Sequence, residues 1–183
     1  MDNWFIGLPL AAGAWFEALE PPPGARLFHP EDLHITVAFL GRVGEDAARR
    51  AFAFAPAWPS PALSVSLGPM VPLGHPRRFS ALSALLEEGR AQVEAAMARV
   101  RDVMADAAGA EREHRPPLAH VTLARPSRKA DAEQRRGMLA WASATELRAP
   151  RVLLSALTLY TRAERSEARS YRAVDTHWLS RAD

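Results

Sequence analysis

The chain has 183 residues, of which 48% are hydrophobic, and this fits one globular domain or two small lobes that share a core. It contains no cysteine, which excludes disulfides, thiolate nucleophiles and cysteine-ligated zinc. The formal net charge is only +2, so no global field would draw the protein onto long nucleic acid.

Targeting and membrane segments are not predicted. No apolar run reaches the roughly 18 residues of a membrane span, and the start Met1-Asp2-Asn3-Trp4 lacks the basic and apolar regions of a signal peptide. We therefore expect a soluble, cytoplasmic protein with no membrane partner. Every basic residue except Lys129 is arginine, a side chain suited to phosphate. Codon bias explains this choice more simply, so it carries no functional weight alone.

The first half of the chain predicts alternating strands and helices. An apolar run stopped by proline is typical of a buried first strand. A later alanine-rich segment with acid at its start and arginine within it has the charge order of a helix. The predicted elements are a strand over Trp4–Leu10, a helix over Gly13–Leu19, a strand over His34–Gly41, a helix over Glu45–Ala55, and strands over Leu63–Leu67 and Arg78–Leu85.

The second half begins with the longest predicted helix. Apolar residues recur at three-to-four spacing at Val93, Met97, Val100 and Met104, and Gly109 supplies a stop. The predicted elements are a helix over Gly89–Ala107, a strand over His120–Arg125, a polar segment over Arg128–Arg136 that leads into a helix through Trp141, and strands over Val152–Tyr160 and Tyr171–Trp178. A polar loop over Arg162–Ser170 is predicted between those last two strands.

Two stretches of the same design stand out, His34-Ile35-Thr36-Val37 and His120-Val121-Thr122-Leu123, 86 positions apart (120 − 34). Each has His and Thr two positions apart in a run of β-branched and aliphatic residues that predicts a strand. Side chains alternate across a strand, so His and Thr emerge on one face, about 7 Å apart. If the two strands are neighbours, two imidazoles and two hydroxyls surround one point, an arrangement suited to a phosphate.

A single His-x-Thr in a strand is a weak signal, because a lone histidine is more often structural than catalytic. Two copies favour a catalytic pair. Each half alternates strands and helices and holds one copy, which predicts a duplicated α+β unit whose two sheets face a common cleft. The remaining histidines have no comparable context and are interpreted as loop or surface residues: His29, His75, His114 and His177.

At these residues the chain resembles the two-histidine phosphoesterase superfamily, and within it the 2′-5′ RNA ligase or RNA 2′,3′-cyclic phosphodiesterase family. The family carries His-hydrophobic-Thr-hydrophobic in each half and an arginine after the second, as at Leu33–Gly41 and Ala119–Arg125 here. Smaller similarities extend over nearly the whole chain. The charged loop Arg162–Ser170 departs from the family, which often has Gly and Pro there.

The resemblance implies an α+β, bilobal fold over 1–183, a single domain with two pseudo-symmetric antiparallel-sheet lobes and outer helices around a central cleft that carries both His-x-Thr strands. It also implies an enzyme without cofactor or metal, which hydrolyses RNA or nucleotide 2′,3′-cyclic phosphates to 2′-phosphomonoesters. Reversible 2′-5′ joining of RNA ends is a secondary implied activity. The expected partners are RNA ends or nucleotides with a cyclic phosphate, and the expected state is a monomer.

The residues fit this chemistry by themselves. Histidine, with a reference pKa of about 6.5, can act as acid or base near neutrality, so His34 and His120 are the predicted catalytic pair. The resemblance favours His34 as the acid and His120 as the base. The predicted substrate-binding groups, which stabilise charge on the phosphate, are Thr36, Thr122 and Arg125.

Strict alternation along the strands bears on two further side chains. It places Arg125 on the face opposite His120, so we expect the strand to end or bulge before Arg125, or the long side chain to curl back. The same count assigns Phe39 the wrong parity for the cleft. Trp4, Phe5 and Tyr171 are expected in the core, which leaves the platform for a nucleobase unassigned.

Three alternatives remain open from sequence. A metallohydrolase is disfavoured because Thr is a poor zinc ligand and neither tetrad contains an acidic residue. A non-catalytic RNA-binding module could use the same cleft as a phosphate reader. A third alternative is a phosphodiesterase for another cyclic substrate, such as ADP-ribose cyclic phosphate or a small nucleotide.

Overall fold

The computed structural model describes residues 2–75, 78–147, 151–164 and 166–181. Within these ranges the chain forms ten β-strands and four α-helices. The strands are Trp4–Pro9 (β1), Ala25–Leu27 (β2), His34–Gly41 (β3), Leu63–Val65 (β4), Leu67–His75 (β5), Arg78–Leu86 (β6), His120–Pro126 (β7), Val152–Leu154 (β8), Ala156–Arg162 (β9) and Tyr171–Trp178 (β10). The helices are Ala14–Glu17 (α1), Glu45–Phe52 (α2), Arg90–Ala108 (α3) and Ala132–Ala144 (α4).

Eight of these strands form one antiparallel sheet, in the order β10-β9-β1-β3-β7-β6-β5 with β2 also paired to β7. The remaining two, β4 and β8, pair with each other. The α+β class and the antiparallel strands are therefore confirmed. No helix in the described ranges is long and apolar enough to cross a membrane.

The duplicated-unit prediction expected each half of the sequence to build its own sheet. Instead, strands of both halves belong to one eight-stranded sheet. The C-terminal strands β9 and β10 extend the sheet next to the N-terminal β1, whereas β5 and β6 from the first half pair on the side of β7. The junction between β3 and β7 consists of one pair, Ile35 opposite Val121. The two predicted His-x-Thr strands therefore meet in the middle of the sheet.

The helix α3 covers one face of this junction. Its apolar stripe is buried as predicted, with Val93, Met97, Val100 and Met104 at most 4% exposed, and α3 lies against both α2 and β3. Gly109 ends it in the left-handed region, with φ of 66°. Because α3 occupies this side of β3, the tetrads present their polar residues on the other side.

Several predicted boundaries change in the structure. The predicted strand over Val152–Tyr160 is divided at Ser155 into β8 and β9, which belong to different sheets. β5 extends through Gly68, Pro69 and Gly74, residue types that more often occur in turns, and its pairing with β6 is irregular at two places. These changes leave the tetrad strands where the sequence predicted them.

Candidate active site

The crossing of β3 and β7 brings the two tetrads together. With Ile35 opposite Val121 in an antiparallel pair, the register places His34 opposite Thr122 and Thr36 opposite His120. Ile35 and Val121 are fully buried on the α3 side, whereas the His and Thr side chains are partly exposed on the other face. The four polar residues therefore share one face, each histidine across from the other strand's threonine.

A β-bulge follows the first tetrad. Between β1 and β3, Gly7 pairs with Thr36 but Ile6 pairs with Ala38, which leaves Val37 as the extra residue. Val37 and Ala38 are consecutive and both buried, at 4% and 6% exposure. Strict alternation would expose one of them, so the faces of the next residues in β3 are reversed, up to a second irregularity at Leu40.

The second tetrad has the same irregularity at the equivalent position. Between β6 and β7, Ser83 pairs with Thr122 but Leu82 pairs with Ala124, so Leu123 is the extra residue. Leu123 and Ala124 are both fully buried. Each tetrad thus ends on the residue that bulges.

The bulges determine which side chains after each tetrad lie on the same face as the histidines. Arg125, five residues after His120, is moved to that face by the bulge, which is one of the three alternatives that the sequence left open. Phe39, five residues after His34, occupies the matching position, so the parity assigned to it from sequence was wrong. Phe39 is 58% exposed and pairs with Phe5, whose ring stacks on His34. Cross-strand partners project on one side of a sheet, which places Phe39 with the histidines.

Both imidazoles are held in the same orientation by the backbone. Nδ1 of His34 donates to the carbonyl of Asp32 at 2.6 Å, and Nδ1 of His120 donates to the carbonyl of Leu118 at 2.7 Å. A carbonyl oxygen can only accept, so the proton of each neutral ring is on Nδ1. The Nε2 atom of each ring is left to accept or donate a proton on the polar face.

His34 lies within an aromatic cluster. Phe5 stacks on its ring with centroids 4.6 Å apart, and Tyr171 meets it edge-on at 5.5 Å. Tyr160 is 5.6 Å away and stacks on Phe5. Trp4 and Phe5 are buried, as predicted, and Tyr160 is buried with them, but Tyr171, also predicted in the core, is only partly buried. These rings fix the plane of the imidazole and exclude water from one of its sides.

Burial lowers the pKa of both histidines. The pKa of His34 falls to about 4, because burial outweighs the opposing effects of the Asp32 carbonyl and the Asp32 charge, while the charges of His120 and Arg125 lower it further. The pKa of His120 is also lowered by burial, against its hydrogen bond to Leu118. In the unliganded protein at pH 7, both rings are neutral.

A buried carboxylate anchors the segment that precedes His34. Asp32 is 1% exposed, and its two oxygens accept hydrogen bonds from the backbone amides of Ser170 at 2.7 Å and Tyr171 at 3.0 Å. It therefore joins the start of β3 to the start of β10 and holds Tyr171 against His34. Sequence reasoning did not select Asp32, whose only signal was its place two residues before the first histidine.

The predicted phosphate-binding groups have partners of their own. The Thr122 hydroxyl shares a 3.2 Å hydrogen bond with the buried Ser83 hydroxyl, a residue that the sequence did not point to. The guanidinium of Arg125 lies over the ring of Phe28, 5.0 Å from its centroid. These contacts orient one hydroxyl and one cation on the histidine face.

A cleft of about 560 Å³ adjoins this face at Arg125 and Tyr171. No histidine in the described part of the chain lines this cleft, neither those of the tetrads nor the other four, so it borders the histidine face instead of containing it. His29 instead accepts a hydrogen bond from the Glu31 amide at 3.3 Å. Within the described ranges, no group of three or more His, Asp or Glu side chains is arranged to hold a metal ion.

Comparison with known sequences gives the family. The profile of the 2′-5′ RNA ligase superfamily matches residues 8–166. The chain belongs to this superfamily. A superfamily of this kind supports a phosphoesterase or ligase enzyme, and it confirms the resemblance found at the tetrads.

Several solved protein structures have the same fold as this chain. Escherichia coli LigT complexed with 3′-AMP is 19% identical to this chain, with a TM-score of 0.69. The match covers 98% of this chain and 99% of the LigT chain. LigT complexed with ATP is 18% identical, with 98% and 99% coverage and a TM-score of 0.65. The protein TT0787 of Thermus thermophilus is 18% identical, with 99% and 100% coverage and a TM-score of 0.71. Comparison with curated proteins gives no match.

Proposed function

We propose that this superfamily member hydrolyses RNA or nucleotide 2′,3′-cyclic phosphates to 2′-phosphomonoesters, without a metal, by paired histidine acid–base catalysis. The observation that carries the proposal is the arrangement of His34 and His120. Their strands are adjacent, the Nδ1–H group of each ring donates to a backbone carbonyl, and each histidine is opposite a threonine. Two imidazoles with available Nε2 atoms are what in-line opening of a cyclic phosphodiester requires.

The reaction divides between the two rings. Nε2 of His120 accepts a proton from water, the water oxygen bonds to phosphorus, and the bond from phosphorus to the 3′ oxygen breaks. Nε2 of His34, protonated when substrate is bound, gives its proton to that oxygen. The products are a 2′-phosphate and a 3′-hydroxyl, a regiochemistry that follows the family resemblance. With the 5′-hydroxyl of a second RNA in place of water, the same steps form a 2′-5′ linkage.

Asp32 supports the assignment of His34 as the acid. An acid must carry a proton at the start of the step, yet burial keeps the His34 ring neutral in the unliganded protein. The Asp32 charge raises the pKa of His34, and an anionic phosphate in the site raises it further. His120 has no comparable contribution from a carboxylate among the described residues, which suits a base.

The remaining groups stabilise the phosphate and hold the nucleoside. Thr36 and Thr122 donate hydrogen bonds to the non-bridging oxygens, and Arg125 offsets their growing charge. Phe39 is exposed at the position in β3 that matches Arg125 in β7. An exposed ring next to a phosphate site suits stacking on a nucleobase, so Phe39 is the proposed platform.

The test is turnover of a short RNA that ends in a 2′,3′-cyclic phosphate, with the product ends analysed. We expect a 2′-phosphate, lost in His34→Ala and His120→Ala but kept in His177→Ala, a matched substitution outside the tetrads. Binding without turnover in the wild-type protein would leave a phosphate-reading module instead of an enzyme. A 3′-phosphate product would show that the family regiochemistry does not transfer.

A further inference from the structure

The cleft that borders the histidine face at Arg125 and Tyr171 is strongly basic. Its charged lining has twice as many cations as anions, although the whole chain has a formal net charge of only +2. The acidic residues are Asp2, Glu164 and Glu167. The cations are Arg26, Arg42, Arg125, Arg128, Arg162 and Arg169.

Most of these arginines lack an acidic partner. Arg169 is paired with Glu167 at 2.5 Å and with Glu31 at 3.3 Å. Among the described residues, none of the other five makes a salt bridge. Several unpaired guanidinium groups around one cleft repel each other, and an anion with more than one charge would relieve this repulsion.

The arginines are spread too widely for one phosphate. Arg26 and Arg125 are cross-strand partners in β2 and β7. Arg42 follows β3, eight residues after His34, and β3 is long enough to extend on the order of 20 Å. Because β3 and β7 are antiparallel, Arg42 and Arg125 lie in opposite directions from the crossing point. A cyclic phosphate bound between the histidines cannot contact both.

We propose that this arginine cleft binds the phosphodiester backbone of single-stranded RNA on the 5′ side of the cyclic end, so that oligonucleotides are better substrates than mononucleotides. The inference rests on the function proposed above, because it extends the same site. Arginine binds phosphate with paired hydrogen bonds and provides the basic track of single-strand binding sites. The exposed ring of Phe39 adds the stacking surface that such sites combine with charge.

A small substrate with a pyrophosphate would also be attracted to arginine. ADP-ribose cyclic phosphate has additional charge but no repeating backbone, so it would use only part of the cleft. The structure favours RNA because the lining arginines come from five separate segments of the chain, at β2, after β3, at and after β7, at the end of β9 and in the loop before β10.

The experiment measures kcat/KM for three substrates: a nucleoside 2′,3′-cyclic phosphate, an RNA trinucleotide ending in the same group, and ADP-ribose cyclic phosphate. The proteins are the wild type, the double variant Arg42→Ala/Arg162→Ala, and the control Arg50→Ala. Arg42 and Arg162 are cleft residues outside the proposed catalytic set. Arg50 is an exposed arginine of α2 that does not line the cleft.

In the wild type, we expect kcat/KM for the trinucleotide to exceed that for the mononucleotide by at least about tenfold. The double variant should lower kcat/KM about tenfold for the trinucleotide alone, since charge-assisted contacts each contribute up to that factor or more. In the double variant, the slope of log kcat/KM for the trinucleotide against log salt concentration should become shallower by about one unit. Arg50→Ala should resemble the wild type.

Equal rates on mononucleotide and trinucleotide, or an arginine dependence seen only with ADP-ribose cyclic phosphate, would overturn the RNA-backbone proposal while leaving the phosphodiesterase in place. If no substrate is turned over, the proposed phosphodiesterase activity is refuted, and RNA binding then tests the role of the cleft. Fluorescence anisotropy with a labelled RNA trinucleotide should then show about tenfold weaker binding in the double variant. Unchanged binding in that variant would refute the cleft assignment.

Discussion

Gly7 leaves open the space that the His34 ring occupies. A Cβ atom on Gly7 would lie 3.3 Å from Cδ2 of His34 and 3.0 Å from the carbonyl oxygen of Ile35. Gly7 of β1 pairs with Thr36 of β3, and each is two residues from one of the stacked rings of Phe5 and His34. A side chain here would press on both a backbone atom and the proposed acid.

We therefore expect Gly7→Ala to displace His34 and lower kcat more than it raises KM. Overpacking of this kind typically costs about 1–3 kcal/mol of stability. The matched control is Gly137→Ala in α4, where a Cβ meets nothing within 4 Å and the helix gains up to about 1 kcal/mol. Kinetics and urea unfolding of both variants check this. Full activity in Gly7→Ala would show that His34 tolerates the added methyl group.

The second prediction concerns metal. The proposed site contains two imidazoles, two hydroxyls and a guanidinium, which supply acid, base and positive charge, so its rate should not change on dialysis against EDTA. The measurement is turnover of the cyclic-phosphate substrate before and after chelation. Loss of most activity, restored by one divalent ion, would support a metallohydrolase instead.

The third prediction concerns the tetrad side chains. Removing a proton-transfer group typically lowers the rate by about 10²–10⁴-fold, so His34→Ala and His120→Ala should each lose roughly that factor. Thr36→Ala and Thr122→Ala lose one donor each and should lose on the order of ten- to a hundredfold. Turnover is measured on folded protein, verified by circular dichroism. Near-normal turnover in either histidine variant would end the paired acid–base mechanism.

The tetrads and their environment show what sequence can and cannot predict here. Alternation within one strand is local, so the shared face of His34 with Thr36, and of His120 with Thr122, was predictable from two-residue spacing. A bulge depends on how many residues the partner strand aligns, and that information is outside the strand. The parity predicted for Phe39 was wrong for this reason, although a bulge was one of the alternatives considered for Arg125 in the other tetrad strand.

Long-range contacts were not predictable for a related reason. Asp32 binds the amides of Ser170 and Tyr171, about 138 positions away, and Ser83 of β6 bonds to Thr122 of the neighbouring β7, 39 positions away. Such partners are fixed by sheet order, and the order mixes the two halves of the chain. The sequence pattern of alternating elements predicted the class and most strands, but it could not show that β9 and β10 would return to β1.

The fourth prediction follows from the buried imidazole. The pKa of His34 is lowered to about 4 in the folded protein, against about 6.5 when unfolded. Between these values only the unfolded chain binds the proton, so His34 contributes full stability above pH 6.5 and loses it as the pH falls toward 4. The difference amounts to roughly 3 kcal/mol at most.

Urea unfolding at pH 7 and pH 4.5 measures this effect. The wild type should lose more stability than His34→Gln between the two conditions, because the variant has no imidazole to protonate at this site. His177→Gln, altered at a histidine of the last strand, serves as the control and should follow the wild type. Equal losses in all three proteins would show that acid destabilisation comes from other groups.

The last prediction concerns how Asp32 acts on His34. If one ring must be neutral and the other charged, kcat depends on pH as a bell whose limbs belong to the coupled pair. The charged or titratable groups that face His34 are Asp32, His120, Arg125, Tyr160 and Tyr171. Asp32 is the anion among them, so Asp32→Asn removes a charge that favours the protonated ring.

Removing that charge lowers the pKa of His34, so the descending limb of the kcat profile should move to lower pH in Asp32→Asn. A role limited to anchoring Ser170 and Tyr171 would lower the rate at every pH without moving the limb. Asp46→Asn, the same change at an exposed position of α2, controls for the loss of one negative charge. A fixed descending limb in Asp32→Asn would refute the electrostatic role and, with it, the argument that assigns the acid to His34.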